Sequence, residues 1–325
     1  MSGARVWRLG HDRRVTLEPW CLMGVLNATP DSFSDGGDHL DPERAIATGL
    51  GMIEAGATVL DVGGESTRPG AASVSVDEQI ARVVPVIKGV RRQTLGESVA
   101  ITIDTTRAAV AAAAFDAGAD ALNDVSAGTE DAGILDLVAE RDRGVVLMHR
   151  LKRPADDSYS DAYERSPVYA DVVRDVASFL RSRVVAAIDA GVDPASVAID
   201  PGLGFGKTVE QNFDLVAGLP MFVETGHPVL VGGSRKSFLG ATSGMTEARD
   251  RDPESAVLAV EAWRAGARFF RVHDVGIHER SLRIAAAVER PMPGSVASSA
   301  LLRGKSPSKS ATTACAQRCR LRARL

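Results

Sequence analysis

The sequence predicts an α/β fold of the (β/α)₈ TIM barrel type over residues 20–290, between a lead-in segment, 1–19, and a basic tail, 291–325. Three observations predict it. Eight short apolar runs alternate with helical patterns in units of roughly 30 residues, as in parallel strands joined by helices. The runs are almost continuously apolar, which is typical of strands covered by helices. The repeats together approach the ~250 residues usual for such a barrel.

Each apolar run ends on a polar or charged group. The runs and their ends are Leu22–Leu26 before Asn27, Val59–Leu60 before Asp61, Ile101–Ile103 before Asp104, Ala121–Leu122 before Asn123 and Asp124, Val145–Met148 before His149, Val197–Ile199 before Asp200, Val229–Val231 before Ser234-Arg235-Lys236, and Phe269–Val272 before His273 and Asp274. Strand carboxyl ends open on one face of a barrel, so these groups should converge on one pocket. For a single acid, a helix N-cap or a loop salt bridge is the simpler explanation. It is a poor one for eight strand ends together.

Helical patterns, with apolar residues three and four positions apart, fill the intervening segments. They cover Pro42–Ala55, Val76–Arg92, Arg107–Ala117, Ala132–Glu140, Tyr169–Ala190, Val209–Leu219, Pro253–Ala265 and Ile277–Val288. Gly56, Gly118 and Gly266 each stand between a helix and the next strand, where a left-handed cap is expected. Pro42 and Pro253 suit the first helical turn, and each follows an aspartate that can cap the helix.

The segment Asp200–Thr208, Asp-Pro-Gly-Leu-Gly-Phe-Gly-Lys-Thr, joins a strand end to a glycine-rich turn. Its final residues suggest a nucleotide-binding P-loop, G-x-x-x-x-G-K-[ST], but Pro201 stands where the first glycine belongs. We therefore exclude a P-loop. What remains is an acid at a strand end beside glycines that admit a ligand close to the backbone.

Composition is that of an ordinary globular protein, with 45% hydrophobic and 25% charged residues. No run approaches the ~18 apolar residues of a membrane helix, and the N-terminus lacks the apolar core of a signal peptide. Cys21, Cys315 and Cys319 make no disulfide framework and suit a reducing compartment. We expect a cytoplasmic enzyme that does not contact a membrane.

Charge is distributed unevenly along the chain. Residues 291–325 contain seven basic residues and no acid, so the rest carries 31 basic against 42 acidic residues. The tail is rich in serine and alanine and poor in large apolar groups, which predicts a disordered, solvated extension. The acidic body argues against nucleic-acid binding by the barrel.

Cations collect at the last two strand ends. Lys236 lies in the loop after the seventh strand, and Arg271 and His273 lie at the eighth. In barrels these loops frequently hold phosphate, and such side chains donate charge-assisted hydrogen bonds to phosphoryl oxygens. The alternative for Arg271 is a structural ion pair with Asp274 or Glu279. The convergence of three cations on one edge favours an anion site.

The middle strands end on acids and an amide, namely Asp104, Asn123 and Asp200. Such groups can bind a flat heterocycle that carries both donors and acceptors, and a carboxylate matches a guanidine-like edge in bidentate fashion. The acids could instead bind a metal. A dedicated transition-metal site is disfavoured, because no histidine other than His149 accompanies them.

The first two strand-to-helix loops are long. Residues 27–38 read NATPDSFSDGGD and residues 63–75 read GGESTRPGAASVS. Joins of this kind usually have about 2–6 residues. Loops of this length over a barrel mouth can fold down on a substrate and exclude water. The alternative is a plain connection.

Five segments in order, LNATPDSFSDGG, DVGGESTRPGA, IDPGLGFGKT, SRKSFLG and RVHDV, resemble dihydropteroate synthases over about residues 20–290. The resemblance implies a homodimeric barrel. It implies a transferase of folate biosynthesis that condenses (7,8-dihydropterin-6-yl)methyl diphosphate with 4-aminobenzoate, forming 7,8-dihydropteroate and diphosphate. It also implies a Mg²⁺ cofactor and competition by sulfonamides with 4-aminobenzoate.

The resemblance also assigns roles to individual residues. It implies a pterin pocket of Asp104, Asn123, Asp200 and Lys236. It implies a diphosphate anchor of Arg271 and His273, with Asn27 assisting there and at Mg²⁺, and further contacts to the pterin diphosphate from Thr67 and Val272. Asp104, Lys236, Arg271 and His273 are the implied catalytic residues.

The second substrate has its own implied residues. Phe33, Pro69 and Ser237 fall where the family encloses 4-aminobenzoate, and Arg68 and Asp35 belong to loops that close over the diphosphate and the metal. The chain departs from the family pattern in the basic segment 150–153, at Gly233 and at 276–278. These departures leave every motif residue in place and concern the pocket rim.

Two other functions compete with the synthase. A pterin-dependent methyltransferase barrel would share the aspartate and asparagine pocket, but it has no use for a diphosphate anchor. A non-catalytic pterin-binding paralogue should show eroded early loops, and here both loops are intact.

Overall fold

Eight parallel strands form the central sheet of the protein, with helices outside it. The computed structural model describes residues 6–29, 41–94 and 99–289. The predictions for Phe33, Asp35 and the tail 291–325 lie outside these residues. Among the described helices, none combines the length and the apolarity needed to cross a membrane.

Two antiparallel strands precede the barrel, β1 (Val6–Gly10) and β2 (Arg13–Thr16). The barrel strands are β3 (Cys21–Asn27), β4 (Val59–Gly63), β5 (Ala100–Asp104), β6 (Ala121–Asp124), β7 (Gly144–Met148), β8 (Val197–Asp200), β9 (Leu230–Val231) and β10 (Phe269–Val272). They pair in the order β8-β7-β6-β5-β4-β3-β10-β9. A parallel bridge between Ile199 and Val229 joins the two edge strands, so the predicted (β/α)₈ barrel is confirmed.

The helices lie close to the predicted bounds. They are α1 (Pro42–Glu54), α2 (Val76–Gln93), α3 (Ala108–Ala117), α4 (Ile134–Glu140), α5 (Val172–Asp189), α6 (Val209–Ala217), α7 (Leu219–Val223), α8 (Ser237–Ser243), α9 (Asp252–Arg264) and α10 (Val275–Val288). The predicted helix over Val209–Leu219 divides at Gly218 into α6 and α7. Helix α8, which begins next to Lys236, was not predicted.

Most predicted helix ends are confirmed. Gly56, Gly118 and Gly266 adopt φ angles of 114°, 112° and 103°, in the left-handed range where a side chain would be strained. The Asp41 side chain accepts hydrogen bonds from the backbone of the first turn of α1. The cap predicted before Pro253 is wrong, because Asp252 pairs instead with the guanidinium of Arg235, with both N–O distances 2.7 Å.

Strands β1 and β2 of the lead-in segment form a hairpin that covers the amino-terminal end of the barrel. Trp7, Leu9, Val15 and Leu17 pack against interior side chains of the barrel strands, and the Trp7 indole donates to the Ser196 carbonyl at 2.8 Å. This apolar plug closes the lower end of the barrel and leaves the carboxyl ends of the strands as the place for a site.

Strand alternation decides which side chains enter the barrel. The lower interior layer contains Val59, Ala100, Ala121, Val146, Ala198 and Phe269, all packed with the hairpin. Side chains two residues further along a strand point to the same face. The next interior layer is therefore Asp61, Thr102, Asn123, Met148, Asp200 and Arg271, with Asp104 one step above Thr102. The core is apolar at its lower end and polar at its upper end.

Candidate active site

Asp61 stands at the centre of the polar layer and is fully buried. Its Oδ1 accepts from the Thr102 hydroxyl at 2.5 Å. Its Oδ2 accepts from Asn123 Nδ2 at 2.9 Å and from Arg271 Nε at 2.6 Å. One carboxylate thus joins side chains from β5, β6 and β10.

Arg271 bridges two carboxylates. Besides the bond to Asp61, its Nη2 donates to Asp104 Oδ2 at 2.8 Å. The alternative partners considered from the sequence are engaged elsewhere, since Asp274 accepts from the Ile277 amide and Glu279 accepts from the Trp20 indole at 2.6 Å. Arg271, which was predicted to bind an anion, therefore hydrogen bonds directly to Asp104 of the predicted heterocycle pocket.

Asp104 and Asp200 are buried carboxylates with unusual protonation behaviour. Burial raises the pKa of Asp200 to about 6, although a hydrogen bond of 2.7 Å from the Gly202 amide opposes the rise. Burial also raises the pKa of Asp104, with the charge of Arg271 opposing the rise and the neighbouring Asp61 carboxylate adding to it. Asp200 can therefore switch between acceptor and donor near pH 6.

The glycine-rich turn after β8 is fixed from below by Lys207, which is fully buried. Its ammonium group donates to the carbonyls of Gly202 and Phe205, both at 2.8 Å, and lies 3.0 Å from His149 Nδ1. Burial lowers the pKa of Lys207 to about 7. The lysine that suggested a P-loop therefore secures the turn and does not point to an anion site.

Lys236 lies across the same turn. Its Nζ is 3.8 Å from the centre of the Phe205 ring, close enough for a cation–π interaction. Gly204 has a φ of 79°, and a Cβ at this position would lie 2.8 Å from the Lys236 side chain. Burial and the charge of Arg271 lower the pKa of Lys236 to about 8, while Asp200 and Asp104 favour its charge.

His273 completes the basic edge in its neutral form. Its Nδ1 lies 3.0 Å from the Ser234 hydroxyl, which also accepts from the His273 amide at 3.2 Å. Burial, then the positive charges of Arg235, Arg271, Lys236 and Arg68, hold its pKa well below the ordinary value. Arg68 is an exposed residue of the 63–75 loop, so this loop adds a positive charge near the edge.

Several strand-end residues face away from the pocket, so the predicted convergence of all the polar ends is wrong in part. Asp124 accepts from the Ser126 and Gly128 amides, at 2.7 and 2.6 Å, and thereby organises its own loop. Arg235 turns outward to Asp252. Val272 is buried in the core shared with the outer helices, so only its backbone is available to a ligand.

The remaining predicted residues lie above the barrel, with Thr67 and Pro69 in a loop and Ser237 at the start of α8. Thr67 and Pro69 are half-buried, and the adjoining Gly70 amide donates to the Pro154 carbonyl at 2.9 Å, joining this loop to the one after β7. Ser237 accepts from the Ser160 amide at 3.1 Å. Ser237 therefore lies at the rim of the pocket, next to the segment that follows β7.

The rim also explains two departures from the family pattern. Arg150 and Arg153, in the basic segment, lie 2.5 and 3.7 Å from a Glu130 carboxylate oxygen. A Cβ on Gly233 would lie 2.2 Å from Leu258, so this chain has no room for a larger residue there.

No group of three or more His, Cys, Asp or Glu residues that could hold a metal occurs in the part of the chain that the structure describes. Asn27, at the end of β3, is half-buried. A Cβ on Gly63 would lie 3.7 Å from Asn27 Oδ1 and 3.6 Å from Asp104 Cβ, so the glycine keeps the space between them open. A single amide oxygen fits Mg²⁺ when substrate phosphates and water supply the remaining ligands.

Sequence reasoning left four contributors to the site without a role, namely Asp61, Phe205, Lys207 and Ser234. Asp61 was recognisable as an acid at a strand end. The signal that could have placed it inside the barrel is its position two residues after Val59, which faces inward. The contacts of Lys207 with His149 and of Ser234 with His273 join distant segments and leave no local pattern.

Comparison with known proteins agrees with this geometry. The family described as pterin binding enzymes matches residues 23–273. A dihydropteroate synthase of Mycobacterium leprae is 44% identical over 278 residues, which cover 84% of this chain and 95% of that protein.

Two solved structures are similar in fold and sequence. The Xanthomonas albilineans dihydropteroate synthase with 4-aminobenzoic acid has a TM-score of 0.80 and 40% identity, covering 89% of this chain and 100% of the other. The enzyme of the same organism in complex with 7,8-dihydropteroate has a TM-score of 0.76 and 38% identity, covering 88% and 100%. The chain therefore belongs to the pterin-binding enzyme family and, within it, to the dihydropteroate synthases.

Proposed function

We propose that this chain condenses (7,8-dihydropterin-6-yl)methyl diphosphate with 4-aminobenzoate to give 7,8-dihydropteroate and diphosphate. One observation carries the proposal, namely the contact of Arg271 with both Asp61 and Asp104. A cation suited to phosphate and carboxylates suited to a heterocycle occupy one pocket. A substrate that carries both groups on one molecule fits this arrangement.

The pterin half binds at the acidic floor. Asp200 and Asp104 are buried carboxylates, and Asn123 adds a neutral amide beside them. The pterin ring presents adjacent N–H donors and a carbonyl acceptor, which a carboxylate and an amide can match together. The exclusion of water from these buried groups strengthens each hydrogen bond.

The diphosphate half binds at the basic edge. Arg271 and Lys236 supply positive charge, and His273, neutral because burial lowers its pKa, supplies one ring N–H or a lone pair according to its tautomer. Thr67 and Arg68 approach from the loop above. Asn27 would hold Mg²⁺ together with substrate oxygens, and the ion would supply further positive charge for the diphosphate.

The reaction proceeds by loss of diphosphate before attack by the amine. The bond between the pterin methylene carbon and the bridging oxygen breaks, and diphosphate leaves with the electron pair. The methylene cation that remains is stabilised by the pterin ring and by Asp104. The nitrogen of 4-aminobenzoate then forms the new bond to carbon and releases a proton. No covalent enzyme intermediate is required.

Electrostatic stabilisation of developing charge is commonly the largest catalytic contribution. Here Arg271 and Lys236 face the developing negative charge of the leaving group. The rim residues Ser237 and Pro69 are the proposed enclosure for 4-aminobenzoate, and Phe33, outside the described residues, stays a prediction from the sequence. The homodimer, the cytoplasmic location and the separate tail 291–325 stay predictions from the sequence.

An assay of diphosphate release tests the function. Purified protein is mixed with the pterin diphosphate and Mg²⁺, with and without 4-aminobenzoate. Release that depends on the arylamine, with formation of 7,8-dihydropteroate, is the expected result. Tight pterin binding without turnover would favour a binding protein and reject the enzyme.

A further inference from the structure

Asp61 accepts hydrogen bonds from three strands at the centre of the barrel. Its donors are the Thr102 hydroxyl, the Asn123 amide and the Arg271 guanidinium, at 2.5, 2.9 and 2.6 Å. Its side chain is completely buried. A carboxylate offers about four lone-pair sites, so these bonds engage most of its accepting capacity. Asp61 is therefore poorly placed to bind a substrate itself.

The contact with Asn123 fixes the orientation of an amide. A carboxylate can only accept, so the Asn123 NH₂ group faces Asp61 and the amide oxygen points elsewhere. Without this partner, either end of the amide could face a ligand. Asp61 thereby makes Asn123 present its oxygen to the pterin.

The contact with Arg271 fixes the plane of a guanidinium. Asp61 accepts a hydrogen bond from Nε and Asp104 accepts one from Nη2, so two of the five N–H donors hold the guanidinium in place. The remaining three stay available to an anion. Because the guanidinium is planar, fixing two of its nitrogens fixes the directions of the other donors.

We propose that Asp61 is a positioning residue that aligns the pterin-binding amide of Asn123 and the diphosphate-binding guanidinium of Arg271 with each other. The inference rests on the proposed function, since it assigns those two residues to the two halves of one substrate. It predicts that one substitution at a residue without substrate contact weakens both halves together.

A second buried carboxylate provides a matched control. Asp120 is 2% exposed and also binds arginine side chains, accepting from Arg13 and Arg91. It precedes β6 and therefore lies at the opposite end of the barrel from the pocket. Asp120→Asn removes a buried charge from an arginine cluster without touching the site.

The test uses Asp61→Asn, which keeps the side-chain shape but offers one acceptor oxygen in place of two. Calorimetry measures the affinities for inorganic diphosphate and for a pterin without diphosphate. Loss of a hydrogen bond to a charged group should weaken each ligand by about tenfold. The Michaelis constant for the arylamine substrate should change by less than about twofold. Asp120→Asn should lower the melting temperature and leave both affinities unchanged.

A double-mutant cycle with Arg271→Met separates positioning from general damage. If Asp61 acts on diphosphate through Arg271, Asp61→Asn should cost little diphosphate affinity once Arg271 is gone. The proposal would be overturned if the losses of diphosphate affinity in Asp61→Asn and Arg271→Met were additive, or if Asp120→Asn lost as much affinity as Asp61→Asn. Thr102→Val, which removes one donor to Asp61 without a change of charge, should give the same pattern at about threefold if Asp61→Asn does not fold.

These binding measurements do not require turnover. A wild-type protein that binds both ligands but releases no diphosphate would reject the proposed function and leave the role of Asp61 testable. Normal turnover in wild type, with affinities unchanged in Asp61→Asn, would reject the role of Asp61 alone.

Discussion

Nη2 of Arg271 lies 2.8 Å from Oδ2 of Asp104, although 167 residues separate the two in the chain. Arg271, on the eighth barrel strand, thus contacts the carboxylate at the end of the third barrel strand. The charge that would receive a leaving diphosphate and the charge that would stabilise the remaining carbon cation lie in contact before any substrate binds. The site is preorganised for the separation of charge that the reaction requires.

Removal of the Arg271 guanidinium should therefore impair the chemical step. For Arg271→Met we expect kcat/KM for the pterin diphosphate to fall by at least tenfold, and by ~10²–10³ if the donor acts chiefly in the transition state. Steady-state kinetics with varied pterin diphosphate provides the measurement.

Arg8→Met is the control for that variant. Arg8 pairs with Asp142 at 2.7 Å, on the hairpin at the other end of the barrel. The Arg8→Met variant should keep kcat/KM near the wild-type value. Near-normal turnover in Arg271→Met would remove Arg271 from the mechanism.

Asp200 should produce an acid limb in the pH profile. Its pKa is raised to about 6 by burial, and the proposed contact with the pterin N–H groups needs the deprotonated, accepting carboxylate. As pH falls through about 6 the carboxylate becomes protonated, so kcat/KM should decrease on the acid side, by about tenfold per pH unit well below the pKa. Asp200→Asn should be weaker at every pH and lack this limb. An unchanged limb in Asp200→Asn would assign it to another group.

Lys236 should produce the opposite limb. Burial and the Arg271 charge lower its pKa to about 8, so it loses its charge as pH rises through that value. We expect kcat/KM to decrease above about pH 8. In Lys236→Arg the side chain stays charged, and whatever activity remains should persist to higher pH. A limb that does not move would show that Lys236 is not the titrating group.

The Lys236 position should depend on Gly204. Gly204→Ala forces a side chain onto a φ of 79° and brings its Cβ within 2.8 Å of Lys236, so the lysine must move. Gly226→Ala has the same conformational strain, at a φ of 83°, but nothing lies within 4 Å of its Cβ. Both variants should lose about 1 kcal/mol of unfolding free energy.

Only Gly204→Ala should also lose activity, by about tenfold for a displaced charged donor. Chemical denaturation and kinetics on the two purified variants make the comparison. Equal activity in both would mean that Lys236 tolerates displacement.

Lys207 should stabilise the fold through its carbonyl contacts. Lys207→Met keeps most of the side-chain volume but leaves the carbonyls of Gly202 and Phe205 without their donor. We expect a loss of about 2 kcal/mol in the free energy of unfolding, since a buried unsatisfied polar group costs roughly 1–3 kcal/mol. Urea denaturation measures it. A variant as stable as wild type would show that burying the ammonium costs as much as its bonds contribute.

The fold could be predicted because its signals are local. Apolar runs that end on polar residues give the strands, and glycines such as Gly118 mark the helix ends by their left-handed backbone. The barrel then brings the strand ends together. On that basis alone Asp104 and Asn123 could be grouped together, and Arg271 could be placed at the same barrel mouth, before any coordinates.

The hydrogen-bond and ion-pair partners of individual side chains could not be predicted, because several partners were available to each. Asp252 could either cap a helix or pair with Arg235, and only the three-dimensional arrangement selects the pair. Arg271 likewise had local acids available and bonds to acids over a hundred residues away. The hairpin was overlooked because its strands have only five and four residues, too few for the alternation of Trp7 and Leu9 with other residues to stand out.

The central claim is that one pocket holds the pterin on its acidic floor and the diphosphate on its basic edge. A crystal structure with a non-hydrolysable analogue of the pterin diphosphate tests it most directly. We predict ring contacts to Asp104, Asn123 and Asp200 and phosphate contacts to Lys236, Arg271 and His273. Density for the analogue outside the barrel mouth, or phosphates placed away from Arg271, would contradict the account.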